Sequence, residues 1–122
     1  MYTTLPYGYR DASNYKEGST IVLDGVLSPA DIAAIAATLD SGEMFIPYDL
    51  RLGIEELQSR LTSFPSEDDH VWHILQLEHL AVTETVPEGT STIDAAVLVK
   101  AFTDVAARGG WDVSGACDRL EV

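Results

Sequence analysis

The six residues Leu27-Ser28-Pro29-Ala30-Asp31-Ile32 constrain this chain more than any other stretch, because they encode a helix start at single-residue resolution. The Ser28 hydroxyl can take the backbone N–H of Asp31, and the Asp31 carboxylate can take that of Ser28. Pro29 falls at the first helical position, where its missing donor costs nothing. Leu27 and Ile32 have the spacing of a hydrophobic staple, which fixes the angle at which the chain approaches the helix. Ile32, Ile35, Ala36 and Leu39 then share one stripe and Gly42 follows as a stop, so a helix over about 28–40 is predicted.

Upstream of this helix the apolar period is two. Leu5, Tyr7 and Tyr9 alternate with smaller or polar residues, the pattern of a half-buried strand, and Pro6 suits an edge position. After the polar, turn-rich stretch 11–18, Thr20-Ile21-Val22-Leu23 supplies a β-branched run that stops at Asp24-Gly25. The two runs are expected to pair as an antiparallel hairpin.

Downstream, Met44-Phe45-Ile46-Pro47 reads as a strand or a buried connector that Pro47 ends. Ile54, Leu57 and Leu61 mark one face of a short helix starting near Gly53. Residues 70–85 read as a long central strand, with helix as the alternative; Trp72, Ile74, Leu75, Leu77, Leu80 and Val82 alternate imperfectly, so both faces are part-buried or a bulge shifts the phase. Ser91 and Asp94 repeat the capping-box spacing before a second main helix, with Leu98, Ala101, Phe102 and Val105 as its stripe. Arg108 and Gly109-Gly110 close that helix, and Trp111 is placed to fold back onto the core. The expected architecture is α+β: a small antiparallel sheet with two main helices (about 28–40 and 91–108) packed on it, ordered β-β-α-(α)-β-α within a single domain, 1–122.

Charge narrows the partners. The chain carries 20 acidic against 7 basic residues, a formal net charge of −13. Such a field repels phosphate backbones and anionic membranes and attracts a basic protein, so direct nucleic-acid binding is not expected. Solubility alone is the competing reading of the same charge. Apolar runs fall well short of the roughly 18 residues a membrane span needs. The N-terminal residues lack the pattern of a signal peptide, and the lone Cys117 cannot close an internal disulfide, so a cytoplasmic location is expected.

Chemistry-bearing motifs are sparse. There is no Gly-x-x-x-x-Gly-Lys, no Gly-x-Gly-x-x-Gly and no Gly-x-Ser-x-Gly, so no cofactor is expected and enzymatic activity has no positive support. Cys117 is followed by Asp118, which disfavours a thiolate. The one metal-like grouping is Asp69, His70 and His73, with His79 further along, since imidazole and carboxylate together suit zinc or iron. On a strand, however, His73 and His79 lie about 20 Å apart and His70 faces the other way. For protein contacts, the stretch 9–16 concentrates Tyr9, Arg10, Tyr15 and Lys16, residue types that anchor interfaces, although it also reads as a plain hairpin connection. The first helix carries Ala30, Ala33, Ala34 and Ala37 where a solvated helix displays charges. Ala33 and Ala37 are the candidate dimer contact, against the simpler reading that alanine is the best helix former.

Tyr-Arg-Asp-Ala-Ser-Asn-Tyr-Lys at 9–16, Leu-Asp-Ser-Gly-Glu-Met-Phe-Ile-Pro at 39–47 and Asp-Asp-His-Val-Trp-His at 68–73 together resemble an uncharacterised family of small acidic bacterial proteins, some carried on mobile elements. The resemblance spans about half the chain. It implies a bacterial or phage origin, and brings no activity or site residues to carry over. The leading functional expectation is a non-enzymatic protein-interaction module with an acidic surface for a basic protein partner, with a homodimer as one form. The alternative is a small metal-binding protein or metal-dependent enzyme using Asp69, His70 and His73.

Overall fold

The computed structural model describes residues 1–10, 16–60 and 70–115. The protein is α+β, with a six-stranded sheet and helices gathered on one face. Strands β1 (Tyr2–Arg10) and β2 (Lys16–Asp24) form the expected antiparallel hairpin in register from Tyr2 opposite Asp24 to Arg10 opposite Lys16. Odd-numbered side chains of both strands point inward: Thr3, Leu5, Tyr7, Tyr9, Ile21 and Leu23 are all buried.

Helix α1 (Pro29–Thr38) starts as the sequence requires. Asp31 N–H donates to Ser28 Oγ at 3.1 Å and Ser28 N–H to Asp31 Oδ2 at 3.0 Å. Ile35 and Leu39 are buried and Ile32 packs against the same cluster. Strand β3 (Met44–Phe45) follows, and Pro47 opens rather than ends an element: it is the first residue of the one-turn helix α2 (Pro47–Leu50). No helix starts at Gly53, whose φ of 73° lies in the left-handed region; the expected short helix shrinks to a 3₁₀ turn at Leu57–Arg60. Leu61 lies outside the described residues.

The expected long strand over 70–85 is three pieces: β4 (His73–Leu75), a 3₁₀ turn at Leu77–His79, and β5 (Ala81–Thr83). Both strands pair antiparallel with β1, β4 opposite Tyr7 and Gly8 and β5 opposite Tyr2 to Thr4. The interruption therefore lies opposite Leu5 and Pro6. Pro6 accepts from Gln76 N–H at 3.0 Å on that side but has no N–H to return, so a continuous ladder cannot form past it. Pro6 is thus a correction as well, because it sits in a central strand and works there by breaking its neighbour.

Strand β6 (Ile93–Asp94) pairs parallel with β2, Leu23 opposite Ile93 and Asp24 opposite Asp94, so the sheet is mixed rather than purely antiparallel, with order β3-β4-β1-β2-β6 and β5 also on β1. Helix α3 (Ala95–Ala107) begins later than expected because 93–94 are spent in that pairing. Asp94, not Ser91, is its cap, its Oδ1 accepting from Ala96 N–H at 2.8 Å and Val97 N–H at 3.3 Å. Gly109 and Gly110, at φ 96° and 117°, let the chain double back, their N–H groups reaching the Ala106 and Val105 carbonyls. Trp111 then lies edge-on to Phe102 at 5.8 Å and donates its indole N–H to the Thr38 carbonyl at 2.9 Å, tying α3 to α1. Leu98, Phe102, Val105, Ile35, Leu5 and Leu23 share the resulting core. Among the described residues no helix is long and apolar enough to cross a membrane.

Candidate functional site

Three of the sequence candidates, Tyr9, His70 and His73, meet in space. His70 packs against Tyr9 with ring centroids 4.8 Å apart and planes tilted by 45°, and Tyr9 packs against His73 at 5.2 Å and 43°. His70 Nδ1 accepts from Trp72 N–H at 3.0 Å, which leaves Nε2 as the donor to the Arg10 carbonyl at 2.7 Å. The His70 N–H donates to the Tyr9 hydroxyl at 3.2 Å. His73 is fully buried: its Nε2 accepts from Leu57 N–H at 3.0 Å and its Nδ1 donates to the Val71 carbonyl at 3.2 Å. Burial pushes its pKa down to about 4, against a smaller upward pull from the Val71 carbonyl and with a small downward push from His70.

These histidines act as clasps. One fastens the end of the hairpin to the chain entering β4, and the other holds the 3₁₀ turn at Leu57 to β4. A cation would have to displace those bonds, since each ring nitrogen is already used. Asp69 lies outside the described residues, His79 is exposed on the 3₁₀ turn after β4, and among the described residues no three of His, Cys, Asp and Glu converge.

Of the contact candidates, Tyr9 is turned inward, since its position continues the odd-numbered core face, so it cannot anchor a partner. Arg10 and Lys16 are exposed at the hairpin end, while Tyr15 and Cys117 lie outside the described residues. Ala33 and Ala37 face solvent on α1.

One concavity was not foreseen. A cleft of about 490 Å³ opens beside β2, between residues 52–55 and 91–93. Its floor includes Ile21, Leu52, Ile54 and Ile93, and its polar groups are hydroxyls of Tyr7, Ser19, Thr20, Ser91 and Thr92. Tyr7 donates to the Glu55 carbonyl at 2.7 Å. Burial raises the Tyr7 pKa, opposed by a hydrogen bond with Ser19, so this phenol stays protonated. At one end Arg60 reaches both Glu55 oxygens at 2.6 and 2.8 Å, Glu17 at 3.5 Å and the Gly18 carbonyl at 3.1 Å. The guanidinium holds the Glu55 carboxyl below its ordinary range. No imidazole lines the cleft, so its hydroxyls lack the usual base that would make one a nucleophile. Four separate segments build this site and none carries a motif, which is why the sequence did not disclose it.

A second, smaller depression of about 220 Å³ gathers Arg51, Lys100 and Arg108 with Asp49 and Asp104. Its charges are largely spent internally, Lys100 on Asp104 at 2.8 Å and Arg108 on the Asp49 carbonyl at 3.3 Å. No family model, no curated protein and no solved structure matches the chain.

Proposed function

We propose that the protein is a non-enzymatic protein-interaction module whose acidic surface receives a basic protein partner. The observation that carries this reading is the cleft beside β2, lined by the apolar Ile21, Leu52, Ile54 and Ile93, by several hydroxyls and by Glu55, which shares Arg60 with Glu17. Anchoring pockets of protein interfaces combine these features, whereas a hydrolytic or transfer site needs a nucleophile beside its base. The formal net charge of −13 adds long-range attraction for a cationic surface and accelerates encounter. Ala33 and Ala37, uncovered on α1, leave that face open to a second copy of the chain.

Immobilised protein incubated with an extract of its source cells at low salt is expected to retain a basic protein that elutes as salt rises. Recovery of nothing beyond the chain itself, with a monomer by light scattering, overturns the reading.

A further inference from the structure

The β2 strand is covered unequally on its two sides. β1 pairs with it along its whole length, whereas β6 pairs only with Leu23 and Asp24, a parallel bridge that takes up the Val22 carbonyl. In an antiparallel ladder alternate residues aim both backbone groups at the partner and the others aim both away. The bond from Gly25 N–H to the Met1 carbonyl at 3.0 Å fixes the phase, so Gly18, Thr20 and Val22 present their N–H and C=O groups outward. Arg60 donating to the Gly18 carbonyl from the outer side agrees with it. Thr20 is exposed, and no described residue bonds its outward N–H or C=O.

That open edge forms the lip of the 490 Å³ cleft. We propose that the β2 edge centred on Thr20 is a strand-addition site for an extended peptide segment of a protein partner, with a basic residue of that segment at the Gly18 end. The inference rests on the interaction-module reading and names how that module would bind. An added strand lies about 4.8 Å from β2 and exchanges backbone hydrogen bonds with Thr20, while alternate side chains enter the cleft over Ile21, Leu52 and Ile54. Charge selects the occupant: Glu17 and Glu55 flank one end of the edge, and Asp24 and Asp94 stand side by side at the other.

Arg60 already shows which chemistry the Gly18 end accepts, a guanidinium shared between two carboxylates and an edge carbonyl. Its side chain and those of Glu17 and Glu55 are 37%, 32% and 50% exposed. Ion pairs that exposed are worth about 0–1 kcal/mol, so an incoming cation can replace or share this one at little cost.

The probe is an acetylated, amidated hexapeptide of alternating arginine and valine, titrated into the full chain labelled with 15N. Binding is expected to slow hydrogen exchange at the Thr20 amide. Thr20→Pro removes the outward donor and leaves the β1 ladder intact, because Thr20 is not bonded to β1. It should weaken binding by roughly tenfold, whereas Thr20→Val should not. If Thr20→Pro fails to fold, a hexapeptide N-methylated at alternate residues, unable to offer donors along one edge, gives the same contrast on the wild-type chain. Equal affinity of all variants and peptides, no binding to the wild type, or a Thr20 amide already protected in the free chain overturns the proposal. Retention of a basic protein that Thr20→Pro leaves unchanged overturns strand addition while sparing the interaction module; failure of both capture and peptide binding removes both.

Discussion

Both ring nitrogens of His73 are committed to backbone partners, and the ring sits among Tyr7, Tyr9 and Phe45. With a native pKa near 4 against an ordinary 6.5, the unfolded chain binds a proton that the native ring refuses. Its contribution is therefore complete above pH 6.5, shrinks as pH falls towards 4, and amounts to roughly 3 kcal/mol across that window. Urea unfolding of His73→Gln, which keeps a polar side chain but no titrating ring, is expected to show a flatter dependence on pH between 7 and 4.5 than the wild type. An equal slope would show that the carboxylates alone set the acid limit. At neutral pH, His73→Phe strands the Leu57 N–H and should cost about 1–3 kcal/mol. The histidines were visible in the sequence as candidate ligands; their actual partners, backbone groups of Leu57 and Arg10, were not, because a backbone acceptor or donor leaves no trace in residue type.

Among the elements, signals confined to one turn were the legible ones. The Ser28 capping box holds atom for atom, and Gly109-Gly110 ends α3 where expected. Ser91 and Asp94 have the same spacing, yet the cap moved to Asp94 because β6 recruits residues 93–94 to β2. Asp94→Ala is accordingly expected to cost about 0.5–2 kcal/mol, while Ser91→Ala stays within about 0.5 kcal/mol, measured by denaturant midpoints. The reverse order would restore Ser91 as the cap. The divided strand over 70–85 shows the same limit: the reason for its break is Pro6, some seventy positions away, and residues 76–80 do not themselves announce it.

At the scale of the whole molecule, the excess of twenty acids over seven bases leaves a formal net charge of −13, whose self-repulsion is stronger in the folded state than in the expanded one. Screening should relieve this, so the urea midpoint is expected to rise from low to physiological salt; a fall would mean that local ion pairs such as Arg60 with Glu55 outweigh the global field. What the sequence by itself determined was the α+β class, the inward face of the hairpin, both main helices to within a few residues, and the formal net charge. Each follows from periodicity, capping or composition, which act within a few residues or sum over all of them. Only the tertiary structure decided that β6 runs parallel to β2, that β1 lies centrally, and that Thr20, beside a cleft, has no partner for its outward backbone groups among the described residues. Those outcomes depend on which distant segments win the competition for the same backbone hydrogen bonds, and that competition is settled by long-range packing on the core.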